Sequence, residues 1–169
     1  MAKFAAFLRA VNVGGTGKLP MVELRAICES LGFSEVHTYL ASGNVVFETT
    51  TTKASAAAAL AKKLEVHMGK ACALFTRTRE ELDAIITSNP FMQAEGNRLM
   101  VILLDKPPTA NMITSAKNKM DEEMALGPHC LFVHYPSGMG QSKLKIPGSE
   151  QGTARNMNTI QAVLEMMHA

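Results

Sequence analysis

Apolar and polar positions alternate with a period of two over residues 3–8, where Phe4, Ala6 and Leu8 oppose Ala5 and Phe7, and this predicts a strand. "PMVELRAICESLG" changes to a helical period, with Pro20 near its start and Gly32 past its end. "VHTYL" and "NVVFE" read as two strands joined by the short turn "ASG". "KASAAAALAKKLEVHMG" is rich in alanine and flanked by lysine, hence helical, and "ACALFTR" reads as a fourth strand. The predicted order over residues 3–77 is βαββαβ, the split βαβ or ferredoxin-like unit.

The second half repeats the rhythm. "TREELDAIITSNP" predicts a helix closed by Asn89 and Pro90. "RLMVILL" predicts a strand, "PPTANMITSAKNKM" a helix with Thr109 near its start, and "CLFVHYP" a strand. "GTARNMNTIQAVLEMMHA" predicts a last helix with Thr153 as its N-cap and Arg155 and Asn156 in its first turn. The expected fold class is α+β: a ferredoxin-like βαββαβ N-terminal unit with a second, related α+β half packed on it. The expected division is 1–77, a helix and linker over 78–97, and 98–169. Both faces of strands 1 and 4 are apolar, so both faces are expected to be covered, one by the unit's own helices and the other by the second half or another molecule.

Composition narrows the function. The chain has 169 residues, 47% of them hydrophobic, and a formal charge of +2, so a normal core is expected and a broad basic field for nucleic acid is not. No apolar run approaches the roughly 18 residues of a membrane span, and "MAKFAAFLRA" lacks a cleavage-site pattern, so no membrane association and a cytoplasmic location are expected. Cys28, Cys72 and Cys130 are odd in number and lie in apolar segments, the pattern of reduced core thiols. No CxxC is present, and His129 and His134 fall on opposite sides of a strand, so no metal site is expected.

"RAVNVGGTGKLP" between strand 1 and helix 1 is the most unusual stretch. It is not a P-loop: Asn12 stands at the first glycine position and Leu19 where the hydroxyl residue belongs. The dinucleotide pattern fails too, because Pro20 takes the last glycine position. Yet the connection spans about eleven residues, whereas strand–helix loops usually take about 2 to 6. Its glycines permit positive φ, and Lys18 and the helix N-terminus supply positive charge for an anion. A flexible loop with an exposed lysine is the plainer alternative.

Topology joins this loop to a second stretch. In a βαββαβ unit strand 1 ends beside the start of strand 3, so Arg9, Asn12, Gly14, Gly15 and Lys18 are expected to share one polar rim with Ser42, Gly43 and Asn44. The link near Gly69 and Lys70 joins the same end. If the second half folds over it, Arg155 and Asn156 complete the site. The set is rich in donors and poor in bases, which suits binding a carboxylate, phosphate or amide better than acid–base chemistry. Taken alone, "SGN" is a hairpin turn.

"LRAVNVGGTGKLPMVELR", "TYLASGNVVFE", "NPF" and "TARNMNT" together resemble the bacterial domain-of-unknown-function family 1697, over nearly the whole chain. The resemblance implies ferredoxin-like α+β subdomains and brings no established activity with it. The family usually has glycine where Ala10 stands and an aromatic where Met157 stands. Three functions stay open. The first is a binder of, or enzyme acting on, a small anionic ligand, phosphorylated or nucleotide-like. The second is an RNA- or DNA-binding module, not favoured because "SGNVVFE" lacks the basic residue and aromatic pair of RNA-recognition strands. The third is a protein-interaction module. No nucleophile–base pair is visible, Ser42 lacks a G-x-S-x-G context, and cofactor, reaction and oligomeric state stay undetermined.

Overall fold

The structure, a computed structural model, describes residues 1–13 and 17–168. The chain divides into two compact units, Met1–Glu80 with Val163–Ala169, and Glu81–Ala162. The last residues of the chain thus group with the first unit.

In the first unit the elements are β1 (Ala2–Leu8), α1 (Met21–Ser30), β2 (Ser34–Thr38), β3 (Asn44–Thr49), α2 (Lys53–Met68) and β4 (Leu74–Thr78). The four strands form an antiparallel sheet in the order β2-β3-β1-β4, the arrangement of a split βαβ. Phe4, Ala6 and Leu8 share one face of β1 and pack with Val45 and Phe47 against Leu24, Cys28, Leu60 and Leu64 of the helices. Phe33 stacks on Phe47 with ring centroids 4.3 Å apart. The other face, with Ala5, Phe7, Val46 and Phe75, is buried as well, as the doubly apolar alternation predicts. Helix α2 begins at Thr52, whose hydroxyl accepts from the Ser55 N–H at 3.1 Å, and ends at Gly69 in the left-handed conformation.

The second unit contains α3 (Arg79–Thr87), which begins two residues before the break, then β5 (Leu99–Leu103), α4 (Ala110–Thr114), β6 (Glu123–Gly127), β7 (Cys130–His134) and β8 (Thr153–Asn156). Its antiparallel sheet has the order β6-β7-β5-β8. Helix α5 (Met157–His168) follows and runs across the boundary into residues grouped with the first unit. The mixed α+β class with two four-stranded sheets agrees with the sequence pattern.

Two expectations are corrected. The helix expected over "PPTANMITSAKNKM" shortens to Ala110–Thr114, because Asn118 takes φ 60° and Lys117 instead bridges to Lys145. Thr153 does not cap the last helix. It opens β8, which pairs with β5, and Arg155 and Asn156 belong to that strand. The cap is Asn156, whose Oδ1 accepts from the Thr159 N–H at 2.9 Å. Cys28, Cys72 and Cys130 are buried free thiols. Among the described residues no group of three metal-ligating side chains occurs, and no helix is long and apolar enough to cross a membrane.

Candidate functional site

The ladder fixes the end of the first sheet. Phe7 lies opposite both Asn44 on β3 and Phe75 on β4, so the exit of β1, the entry of β3 and the entry of β4 meet. The Leu8 N–H donates to the Gly43 carbonyl at 2.8 Å, and the Arg9 N–H to the Ala73 carbonyl at 2.9 Å. A Cβ on Gly43, at φ 92°, would lie 2.7 Å from Val11 Cγ2 and 3.0 Å from Leu8 Cβ, so only glycine fits this close approach.

The long loop is held at both ends by core residues, Val11 and Leu19, and these ends are tied together by Asn12. The Asn12 amide donates to the Leu19 carbonyl at 2.8 Å and to the Ala41 carbonyl at 2.7 Å, while its Oδ1 accepts from the Leu19 N–H at 2.8 Å. One side chain therefore joins the two ends of the loop to the β2–β3 turn. Asn12 stands at φ 55° and Ala10 at φ 57°. Asparagine tolerates that region, whereas an alanine there costs about 1–2 kcal/mol.

Asn44 does for the turn what Asn12 does for the loop. It is fully buried, and its amide donates to the Tyr39 carbonyl at 2.6 Å and to Ser42 Oγ at 2.9 Å. Asn12 and Asn44, expected from the sequence as ligand donors, thus hold backbone and hydroxyl acceptors of the rim itself. Gly14 and Gly15 lie outside the described residues.

The cations of this end are different. Arg9 is half-buried, and among the described residues its guanidinium makes no ion pair or hydrogen bond. Lys18 and Lys70 are exposed and likewise without an acidic partner. The neighbouring carboxylate, Glu23 in the first turn of α1, faces His67 in the last turn of α2 at 3.0 Å. Helix α1 has Pro20 at its N-cap and no capping side chain; the Pro20 carbonyl accepts from Glu23 and Leu24 N–H groups. The helix start therefore adds partial positive charge. Burial pushes the Cys72 thiol up, against smaller opposing effects of Lys70 and of its hydrogen bond to the Arg9 carbonyl. Val13 and Leu40, 58% and 55% exposed, are large apolar side chains at the surface of the two loops.

Arg155 and Asn156 belong to the second unit's sheet. Arg155 is buried and donates to Thr153 Oγ1 at 2.8 Å and to the Ala154 carbonyl at 2.9 Å; burial lowers its pKa to about 10. Asn156 is engaged as the α5 cap. The Glu23–His67 pair was not readable as part of this end, because their contact depends on how α1 and α2 pack.

The family model described as a protein of unknown function, DUF1697, matches residues 1–132. No curated protein matches the chain. Among solved structures the chain is similar to the conserved bacterial protein SP0830 from Streptococcus pneumoniae, at 24% identity and a TM-score of 0.81, with 98% of each chain covered. At that identity the likeness concerns the fold: two α+β halves in succession. With more than half its length matched by the family model, the chain belongs to the DUF1697 family of proteins of unknown function.

Proposed function

We propose that this protein binds a small anionic metabolite, phosphorylated or nucleotide-like, at the rim where β1 leaves the first sheet. The observation that carries the reading is Arg9: a half-buried guanidinium without an ion pair among the described residues, at the exit of the strand whose loop leads to the uncapped start of α1. A planar guanidinium suits a phosphate or carboxylate, and partial burial strengthens the contact relative to an exposed lysine. Lys18 and Lys70 add charge at the same end, and the nearby Glu23 is already matched by His67. Val13 and Leu40 offer apolar surface for the uncharged part of such a ligand. Asn12, Ser42, Gly43 and Asn44 serve by holding the two loops in place rather than by touching the ligand. The rim has donors and no base poised against a nucleophile, so binding is the function proposed.

The test is calorimetric titration of the full chain with nucleotides and phosphorylated metabolites, each alongside its unphosphorylated counterpart. Binding that requires the phosphate supports the reading. Equal heats for nucleosides and nucleotides, or none for either, contradict it.

A further inference from the structure

The second unit carries a cationic feature of another kind. After α4 the chain forms a single antiparallel bridge with the segment that follows the β7 turn. The Lys117 N–H donates to the Lys145 carbonyl at 2.8 Å and the Lys145 N–H to the Lys117 carbonyl at 2.9 Å. In such a mutually bonded pair the Cα atoms lie about 5.5 Å apart and both side chains point to one face. The other face is identified by burial: Ala116 and Leu144 pack on the core and Ile146 is part of it. Lys117 and Lys145 therefore project outward together. Lys143, two residues before Lys145, shares that outward face, and Lys119 is exposed just past the turn at Asn118.

Like charges directly opposite in a ladder are destabilising. Among the described residues none of these four lysines forms an ion pair. The carboxylates that follow on the chain are engaged elsewhere: Asp121 accepts from the Ser137 hydroxyl, and Glu122, itself buried, accepts from Ser142 and from the Met120 N–H. Lys119 lies within the field of Glu122, so the uncompensated group is Lys117, Lys143 and Lys145.

We propose that this lysine ribbon binds the phosphodiester backbone of single-stranded nucleic acid. All the cations are lysines, compact point charges that pair with successive phosphate oxygens without demanding a fixed bidentate geometry. The ribbon is only two chain segments wide. Exposed Asp121 and Glu123 follow Lys119 closely, so a broad anionic surface such as a bilayer would press against carboxylates, while one strand can follow the ribbon. Tyr135, the aromatic that follows β7, packs on the core and is not presented for stacking on bases. The binding is therefore weak, indifferent to sequence and steep in salt. It is separate from the rim of the first unit and stands or falls independently of it.

The experiment is fluorescence anisotropy of labelled oligouridylate and oligothymidylate, about 16 nucleotides long, titrated with the full chain over a range of salt. Three phosphate contacts give a slope of log K against log salt of about −2, the same for both probes. The paired change Lys117→Gln and Lys145→Gln should weaken binding at least about tenfold and flatten the slope to about −0.7. The paired change Lys62→Gln and Lys63→Gln, an equal loss of exposed charge on α2, should leave both unchanged. Absence of binding overturns the proposal. So does an equal effect of the two paired changes, or tighter binding to anionic vesicles than to either oligonucleotide.

Discussion

The two halves build the exit of their central strand in the same way and then diverge. In the first, the Leu8 N–H reaches the Gly43 carbonyl at 2.8 Å; in the second, the Leu104 N–H reaches the His129 carbonyl at 2.9 Å. Arg77 lies opposite Ala5 and Arg155 opposite Val101, each buried on an edge strand, and each donates to the carbonyl just before it at 2.9 Å. What differs is the loops. The first half carries residues 9–20 and two full helices. The second passes directly through residues 104–109 into the short α4, and only the 3₁₀ turn Ser149–Gln151 stands where α2 would be. Beside that second exit is a cavity of about 490 Å³ lined by Asp105, Lys106, Thr109, Asn111 and Gln151 among others. There a carboxylate accompanies the lysine. One scaffold thus presents a cationic rim in one half and a charge-balanced one in the other, and the difference is made by connections rather than by strands.

The largest effect is expected for Gly43→Ala, which combines strain at φ 92° with contacts against Val11 and Leu8. It should destabilise the protein by about 2–4 kcal/mol in urea unfolding. The second half uses His129 at φ 51° in the corresponding turn, so there the left-handed position does not depend on glycine. Asn44→Ala removes a fully buried amide and leaves the Tyr39 carbonyl without its side-chain donor, and should cost about 2 kcal/mol by the same measurement. Asn156→Ala removes only the cap of α5, with an expected loss of about 1 kcal/mol in thermal unfolding. The smallest effect runs the other way: Ala10→Gly relieves the left-handed conformation and should stabilise the protein by about 0.5–1 kcal/mol.

The strands of the first half were legible because their residues alternate on both faces, and Phe4, Ala6 and Leu8 do pack as one row. β6 was not, since "EMALG" is an edge strand whose residues are all exposed or half-buried and show no clean alternation. The α5 cap was misplaced because "TARNMNT" offers Thr153 and Asn156 as competing caps. Pairing of β8 with β5 decides between them, and no local propensity reports that pairing. At the rim, topology told which segments meet. It could not tell that Asn12 and Asn44 would find backbone acceptors within reach, because that depends on the positions of Leu19, Ala41 and Tyr39 after folding. Arginine and asparagine look alike as donors in the sequence; in the structure Asn12 and Asn44 bond to backbone carbonyls, while the Arg9 guanidinium has no such partner among the described residues.

The most direct test of the account compares equal charge losses at the two exits. Arg9→Ala and Lys106→Ala would be titrated calorimetrically with a nucleotide that the wild-type chain binds, with thermal unfolding as the check on folding. Arg9→Ala should weaken binding about 10- to 150-fold, the range of a charge-assisted hydrogen bond, with little change in melting temperature. Lys106→Ala should leave the affinity unchanged. Equal affinities for Arg9→Ala and wild type, or an equal loss in both variants, would contradict the assignment of the site to the first rim.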